Sequence, residues 1–144
     1  MTMVGTFEKQ GVQFKYPDNW ELTEDTSTPE SLTVTLQSPG SAFWVLRIVA
    51  LDTSPDRVVA EVLKSMQQEY DEVEAALVQE RLHNVDAVGY DMQFYCLDLL
   101  VNSHVRSFIV DDRTYLLLFQ AEDREFEEVQ PIFMAMITSL LRQG

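Results

Sequence analysis

The chain has 144 residues, the length of one ordinary domain, and we expect residues 1–144 to form a single domain. Hydrophobic residues make up 46% of it, which is enough for a packed core and argues against disorder. The net charge of −14, from 24 acidic and 10 basic residues, argues against binding to nucleic acid or to anionic membranes, because both need clustered Lys and Arg.

Neither a membrane span nor a secretion signal is predicted from the sequence. No apolar run approaches the length that crosses a bilayer. The first ten residues lack the basic segment and the apolar segment of a signal peptide. The single cysteine, Cys96, cannot form an internal disulfide. These features favour a cytoplasmic protein with no membrane insertion.

The first third of the chain carries patterns typical of strands. Residues 12–16 and 32–37 alternate between apolar and polar side chains, which predicts two half-buried strands. Residues 24–30 are polar and include a proline, so they are expected to form a loop. Residues 42–51 are apolar on both faces except at Arg47, which predicts a strand inside a sheet that is covered on both sides.

A helix is predicted to begin at Ser54. This serine is a suitable N-cap, Pro55 suits the first helical position, and Asp56 places an acid in the first turn. An apolar stripe at helical spacing follows, formed by Val59, Val62, Leu63, Met66 and Tyr70. The helix is therefore expected to run to about Tyr70.

A series of hairpins is predicted next. Residues 74–81 form a strand with Ala76 and Val78 facing inward, and His83–Asn84 marks a turn. Turns at Asp98–Leu99 and Asp111–Asp112 then divide a three-stranded meander. This register sets Asp91 opposite Arg106, Gln93 opposite His104, Gly89 opposite Phe108, Phe108 opposite Tyr115 and Arg106 opposite Leu117.

The predicted meander has one core face and one mixed face. The core face consists of Met92, Phe94, Cys96, Val105, Ile109, Leu116 and Leu118. The mixed face carries Asp91, Gln93, Tyr95, Asn102, His104 and Arg106 beside Phe108, Tyr115, Leu117 and Phe119. Asp91 and Arg106 are expected to form a cross-strand ion pair. Phe43, Trp44 and Arg47 of a neighbouring strand are candidates to extend this face.

The C-terminal region predicts a second helix after an acidic turn. The acids of residues 123–128 suit a helix N-terminus. The apolar stripe that follows consists of Phe126, Val129, Phe133, Met136, Ile137 and Leu140. Because Pro131 disfavours a continuous helix, we expect a short turn over 124–128 and a main helix over 130–141. The summed fold class is α+β, an antiparallel sheet of about six or seven strands flanked by two main helices as an α/β/α sandwich.

Three short segments resemble the PsbP-like superfamily. They are the Phe14-x-Tyr16-Pro17-x-x-Trp20 strand end, the Tyr115-led strand with its acidic turn, and the closing helix that ends in Ser139-Leu140. The superfamily includes the PsbP subunit of photosystem II, Ran-binding Mog factors and bacterial domains of unknown function, among them type VI effector-associated chaperones. The resemblance implies the fold and, for function, the binding of protein partners without catalysis. It carries over no functional residue.

The sequence holds no evident catalytic, metal or cofactor site. Its two histidines, His83 and His104, stand far apart, and neither pairs with Cys96 at a zinc-ligand spacing. No Gly-rich phosphate loop or GxSxG elbow is present. Cys96 is expected to act as a small apolar residue.

We therefore predict a non-catalytic protein-binding or adaptor domain. Its binding residues would be Asp91, Gln93, Tyr95, His104 and Arg106, and its partner a protein with a basic or apolar segment. One alternative is a chaperone for a secreted effector, which needs an exposed apolar concavity on the mixed face. Another is a small-molecule hydrolase that uses His104. The sequence leaves open the oligomeric state, with a homodimer as one option.

Overall fold

The computed structural model describes residues 4–25, 32–49 and 53–142. In chain order its elements are β1 (Val4–Lys9), β2 (Val12–Pro17), β3 (Glu21–Asp25), β4 (Leu32–Gln37), β5 (Phe43–Val49), α1 (Pro55–Glu69), β6 (Glu74–Leu82), β7 (Val85–Cys96), β8 (Leu99–Val110), β9 (Arg113–Glu122) and α2 (Asp123–Leu141). Within these residues, seven strands form one antiparallel sheet in the order β3-β4-β5-β9-β8-β7-β6, and β1 pairs with β2 separately. The predicted α+β sandwich is confirmed.

The hairpin between β7 and β8 turns one residue earlier than the sequence predicted. Leu97 and Asp98 both adopt left-handed backbone conformations and form the turn, so the predicted Asp98–Leu99 turn is wrong. The pairing shifts by two residues, which keeps every side chain on its predicted face. Gly89 now lies opposite Arg106 instead of Phe108. A Cβ atom at Gly89 would collide with the Val105 carbonyl, so a glycine is required there.

The same shift replaces two other predicted pairs in this hairpin. Asp91 lies opposite His104, and Gln93 lies opposite Asn102, to which it is hydrogen-bonded. The next hairpin has the predicted Asp111–Asp112 turn. Its predicted pairs, Phe108 with Tyr115 and Arg106 with Leu117, are confirmed.

One face of the sheet is covered by α2 and by the β1–β2 hairpin. The Phe133 ring of α2 lies 5.2 Å from Phe119 of β9 and 5.9 Å from Trp20, and Phe14 of β2 lies 4.8 Å from Trp44 of β5. All five side chains are buried. The predicted YPxxW turn is present, with the Trp20 amide donating to the Pro17 carbonyl.

Helix α2 is continuous from Asp123 to Leu141, so the predicted break before Gln130 is wrong. Pro131 lies inside the helix on its exposed side. The Pro131 nitrogen cannot donate to the carbonyl of Glu127, but that exposed turn can be hydrated. Burial of the predicted apolar stripe on the opposite side outweighs this local cost.

The other face is covered by α1 over β7, β8 and β9. The predicted helix start is confirmed, since Ser54 accepts a hydrogen bond from the Arg57 amide. A small apolar cluster around Val59, Met92 and Val105 fills this side. Helix α1 does not cover every strand, and several positions that were predicted to be buried are exposed for that reason.

Two predicted inward positions and one predicted covered strand face are more exposed than expected. Ala76 of β6 and Ile109 of β8 are exposed, because neither helix extends over them. The strand over 42–51 is fully covered on one face only, and on its other face Phe43 is half-buried while Arg47 is exposed. Residues 50 and 51 lie outside the described residues.

The N-terminal region contains two strands that the sequence did not predict. They are β1 and β3, and β3 has only one apolar residue, Leu22, so no alternation marks it. Of the predicted 24–30 loop, Glu24 and Asp25 end β3, and residues 26–30 lie outside the described residues. In the described part of the chain, no helix is long and apolar enough to span a bilayer.

The carboxylate of Glu125 joins α2 to the turn between β4 and β5. The Ser41 amide and hydroxyl donate to its Oε1 at 2.6 and 2.8 Å, and the Ser38 hydroxyl and Ala42 amide donate to its Oε2 at 2.8 and 3.3 Å. Burial raises the pKa of Glu125, but these hydrogen bonds outweigh it and hold the pKa below its ordinary value. The ionised carboxylate therefore fixes one end of α2.

Candidate functional site

An ion-pair network joins β6, β7 and β8 on the mixed face. The Arg106 guanidinium donates from Nε to Glu80 at 2.6 Å and from Nη2 to Asp91 at 2.7 Å. Its side chain is only 5% exposed, whereas those of Glu80 and Asp91 are 38% and 40% exposed. The predicted Asp91–Arg106 ion pair is confirmed, although it runs diagonally because of the shifted register. The single positive charge of the guanidinium bridges two carboxylates at the border between core and solvent, so this group of three side chains keeps one net negative charge.

His104 lies next to this network, and its ring packs at the edge of the aromatic cluster of α2 and β9. Its ring lies 4.8 Å from Phe126 of α2 and 5.3 Å from Phe119, and its Nδ1 lies 3.3 Å from Asp91 Oδ1. Burial and the Arg106 charge lower the pKa of His104, against the opposing effect of Asp91 and Glu80. The neutral ring is therefore favoured in the folded protein. Stability is lost as the pH falls below the ordinary pKa of 6.5, because the unfolded chain binds this proton more readily than the folded one.

A chain of amide side chains connects the same face to α2. Gln93 donates to Asn102 at 2.7 Å, and Asn102 donates to Asp123 at 2.6 Å. Tyr95 follows Gln93 on the same face of β7 and is 69% exposed. On this face of the sheet, the side chains of β7 therefore become more exposed from Asp91 to Tyr95.

An open cleft is formed by residues of β6, β7 and β8 in the part of the sheet where Asp91 and Gln93 are exposed. Its volume is about 480 Å³. We call the six lining residues whose side chains lie on the mixed face the open corner: Glu74, Ala76, Asp91, Gln93, Asn102 and His104. It is a shallow surface cleft with acidic, amide and imidazole groups, suited to receive polar or basic side chains.

The structure brings four predicted site residues together and separates others. Asp91, Gln93 and His104 line the open corner, and Arg106 is buried behind Asp91. Tyr95 lies further along β7, near the exposed turn residue Leu97. The candidate extension from β5 fails, since Trp44 is buried against Phe14 of the β1–β2 hairpin while Phe43 and Arg47 lie on the opposite face. Whether these residues bind a partner stays a prediction.

The apolar half of the mixed face is closed. Phe108, Tyr115, Leu117 and Phe119 are all buried beneath α2 and the β1–β2 hairpin. The effector-chaperone alternative required these side chains to form an exposed concavity, so this surface is not available for it.

For the hydrolase alternative, the described part of the chain offers an imidazole and a carboxylate but places no nucleophile beside them. Ser103 lies on the other face of β8, and Ser107 donates its hydroxyl to the Tyr115 carbonyl. Cys96 is partly exposed at the other end of β7. Among the described residues, no three His, Cys, Asp or Glu side chains are grouped to hold a metal ion.

Sequence reasoning missed Glu80 and Asp123. A signal for Glu80 was present: the predicted turn at His83–Asn84 places residue 80 on the same face as Ala76 and Asp91. The residue could therefore have been placed beside Arg106. Asp123 could not, since its contact depends on how α2 leaves β9.

The chain has the PsbP-like fold, as its sequence resemblance implied. The solution structure of cyanobacterial PsbP from Synechocystis sp. PCC 6803 matches 96% of this chain and 92% of that chain, with a TM-score of 0.66 and 10% identity. The crystal structure of PA94, a protein of unknown function from Pseudomonas aeruginosa, matches 98% of both chains, with a TM-score of 0.58 and 12% identity.

A third similar structure comes from an envelope-related protein. LpqN of Mycobacterium tuberculosis, which is involved in cell envelope biogenesis, has a TM-score of 0.57 and 12% identity over 93% of this chain and 87% of that chain. No protein-family model and no curated protein matches the sequence. Identities this low establish a shared fold and leave function to be argued from the site. The cytoplasmic location stays a prediction.

Proposed function

We propose that this chain is a non-catalytic protein-binding or adaptor domain that binds its partner at the open corner and at the neighbouring part of β7. The proposal rests mainly on the observation that helix α2 covers only part of this sheet face. Beyond the helix, a partly exposed carboxylate at Asp91 and an exposed aromatic ring at Tyr95 stand on one strand. Exposed tyrosine beside fixed charge is typical of protein interfaces.

Two further observations support a protein partner over a small substrate. The cleft is open and lacks a nucleophile beside His104 among the described residues, as shown above. Apolar side chains are also exposed around the β7–β8 turn, where Leu97 and Leu99 stand on either side of Asp98. Exposed apolar groups with a polar rim mark protein contact sites.

The proposal is tested by crosslinking and affinity purification from the native host. The variant combines Asp91→Asn with Tyr95→Ser, which removes one charge and one exposed ring while Arg106 keeps its pairing to Glu80. We expect the main crosslinked partner to be lost, with thermal unfolding little changed. A matched control combines Glu128→Gln with Met134→Ser, two exposed positions on α2, and should retain the partner.

Retention of the same partner by the Asp91/Tyr95 variant would remove this face as the binding surface. Turnover of any substrate by the wild-type protein that is abolished by His104→Gln would favour the hydrolase alternative instead.

A further inference from the structure

Strand β6 is an edge strand with an unprotected outer side. Within residues 4–25, 32–49 and 53–142, it is the last strand of the sheet and pairs only with β7. Among the described residues, no backbone hydrogen bond from another segment reaches its outer side. Natural edge strands are usually protected by shortness, proline, charged side chains (lysine above all) or a bulge. Strand β6 has nine residues, contains neither proline nor lysine, and carries its charged residues, Glu74, Glu80 and Arg81, towards its two ends.

The middle of β6 is uncharged and exposed on both faces. Residues 75–79 read Ala-Ala-Leu-Val-Gln, and Leu77 is 62% exposed. Alternation places Leu77 on the face of α1, while Ala76 and Val78 lie on the face of the open corner. A strand added here would gain backbone hydrogen bonds and an apolar contact on one face.

The open corner supplies a specific contact on the other face. Ala76 is paired with Asp91, so only a methyl group separates the outer edge of β6 from that carboxylate. A lysine or arginine on an added strand could lay its stem across Ala76 and bring its charge to Asp91. The Oδ1 of Asp91 already accepts from Arg106, which leaves its other oxygen to the incoming cation.

The charge around β6 favours a basic occupant. Glu69, Asp71, Glu72 and Glu74 lead into the strand and are all exposed. The nearby cations are engaged, with Arg81 paired to Asp86 and Arg106 buried between two carboxylates. An acidic approach of this kind attracts cationic segments and repels acidic ones.

A second copy of the chain is a poorer occupant. Each copy carries a net charge of −14. The symmetric antiparallel register that sets Leu77 opposite Leu77 also sets Glu74 opposite Glu80, and like charges directly opposite each other are destabilising.

We propose that β6 binds an extended segment of another protein by strand addition, and that this segment alternates apolar residues, which pack on Leu77, with a basic residue that reaches Asp91 across Ala76. This inference rests on the proposed function and names the chemistry of the partner. Strand addition is a common way in which exposed sheet edges recognise peptides.

The test uses the full chain and a labelled, capped seven-residue peptide of alternating valine and arginine. We expect saturable binding by fluorescence anisotropy and slower hydrogen exchange at the amides of residues 75–79. A glutamate-for-arginine peptide should bind at least tenfold more weakly. Asp91→Asn and Leu77→Lys should each weaken binding severalfold, whereas Asp112→Asn, a matched change at the exposed β8–β9 turn, should not.

Two N-methylated peptides separate strand addition from general charge attraction. One carries methyl groups on its odd-numbered amides and the other on its even-numbered amides. Because only alternate amides of an added strand face β6, one peptide should lose binding and the other should keep it. Equal binding of both, or binding that Asp91→Asn and Leu77→Lys leave unchanged, would overturn strand addition.

Two other outcomes would show whether strand addition, the proposed function or the identity of the bound segment is wrong. If the valine-arginine peptide does not bind while the native partner is still lost in the Asp91/Tyr95 variant, strand addition is wrong and the proposed function stands. A wild-type dimer that Leu77→Lys separates, measured by analytical ultracentrifugation, would make a second copy the occupant and overturn the inference.

Discussion

The mixed face of the sheet has two ends that differ in what covers them. Under α2, the rings of Phe119, Phe126 and Phe133 pack within about 5 to 6.5 Å of one another and exclude water. At the open corner the same face presents Asp91 and Gln93 to solvent. His104 lies on the border, with its ring against Phe126 and its Nδ1 near Asp91.

This difference shows that one sheet face can combine core and surface. A ring buried under α2 contributes packing free energy, and its replacement is expected to affect the whole domain. An exposed side chain beyond the helix, such as that of Tyr95, is expected to contribute little to stability. Substitutions at the two ends should therefore separate stability from binding.

The largest expected effect is at the covered end. Phe133→Ala should lower the free energy of unfolding by about 3–5 kcal/mol, because the ring is fully buried among three aromatic neighbours. Tyr95→Ala on the same sheet face should change it by less than about 0.5 kcal/mol. Urea denaturation measures both, and equal losses would show that the sheet face around Tyr95 is as tightly packed as the covered end.

An intermediate effect is expected at the border. Arg106→Met keeps the length of a buried side chain but leaves Glu80 and Asp91 without their shared cation. We expect a loss of about 1–3 kcal/mol, below that of a fully buried pair because both carboxylates are partly hydrated. Arg81→Met breaks the exposed Arg81–Asp86 pair and is the control, with less than about 0.5 kcal/mol expected. If Arg106→Met lowers the free energy of unfolding as little as the control does, the ion pairs of Arg106 contribute no more to stability than an exposed ion pair.

The smallest effect concerns the attachment of the covering helix. Glu125→Gln should cost about 1–2 kcal/mol at pH 7, since the amide cannot accept all the hydrogen bonds from Ser38, Ser41 and Ala42. The folded state lowers the pKa of Glu125, so its contribution is present above the ordinary value of 4.5 and is lost as the pH falls through the folded value. The difference from wild type should therefore shrink in acid.

Thermal unfolding of the Glu125→Gln variant between pH 3 and 7 measures this trend. Glu127→Gln, an exposed neighbour on α2, is the control and should follow the wild-type curve. A pH-independent difference would mean that shape, and not charge, anchors the helix at this turn.

Local patterns were sufficient for much of the fold. The Ser54 cap and its stripe predicted α1, and the Asp111–Asp112 turn predicted the register of β8 with β9. The β7–β8 register was missed by two residues. The sequence allows the turn to be placed at Leu97–Asp98 or at Asp98–Leu99. The register is decided outside the turn, at Gly89, where only a glycine fits opposite Arg106.

The candidate site was partly predictable for the same reason. Alternation along β7 and β8 put Asp91, His104 and Arg106 on one face, and a two-residue error in register leaves the face unchanged. Glu80 enters the network from β6, two strands away from Arg106; the predicted His83–Asn84 turn puts it on this face, but its contact with Arg106 follows only when the registers of β6, β7 and β8 are combined.

By itself, the sequence determined helix α1, the apolar stripe of α2 and the faces of the central strands, because these follow from spacing between neighbours in the chain; it did not predict β1 or β3. The tertiary structure decided which parts of each face are covered. Helix α2 comes from the end of the chain and the β1–β2 hairpin from its beginning, and where they stop on the sheet is set by long-range packing. That boundary buries Phe108 and Phe119 and leaves Asp91 and the outer side of β6 exposed.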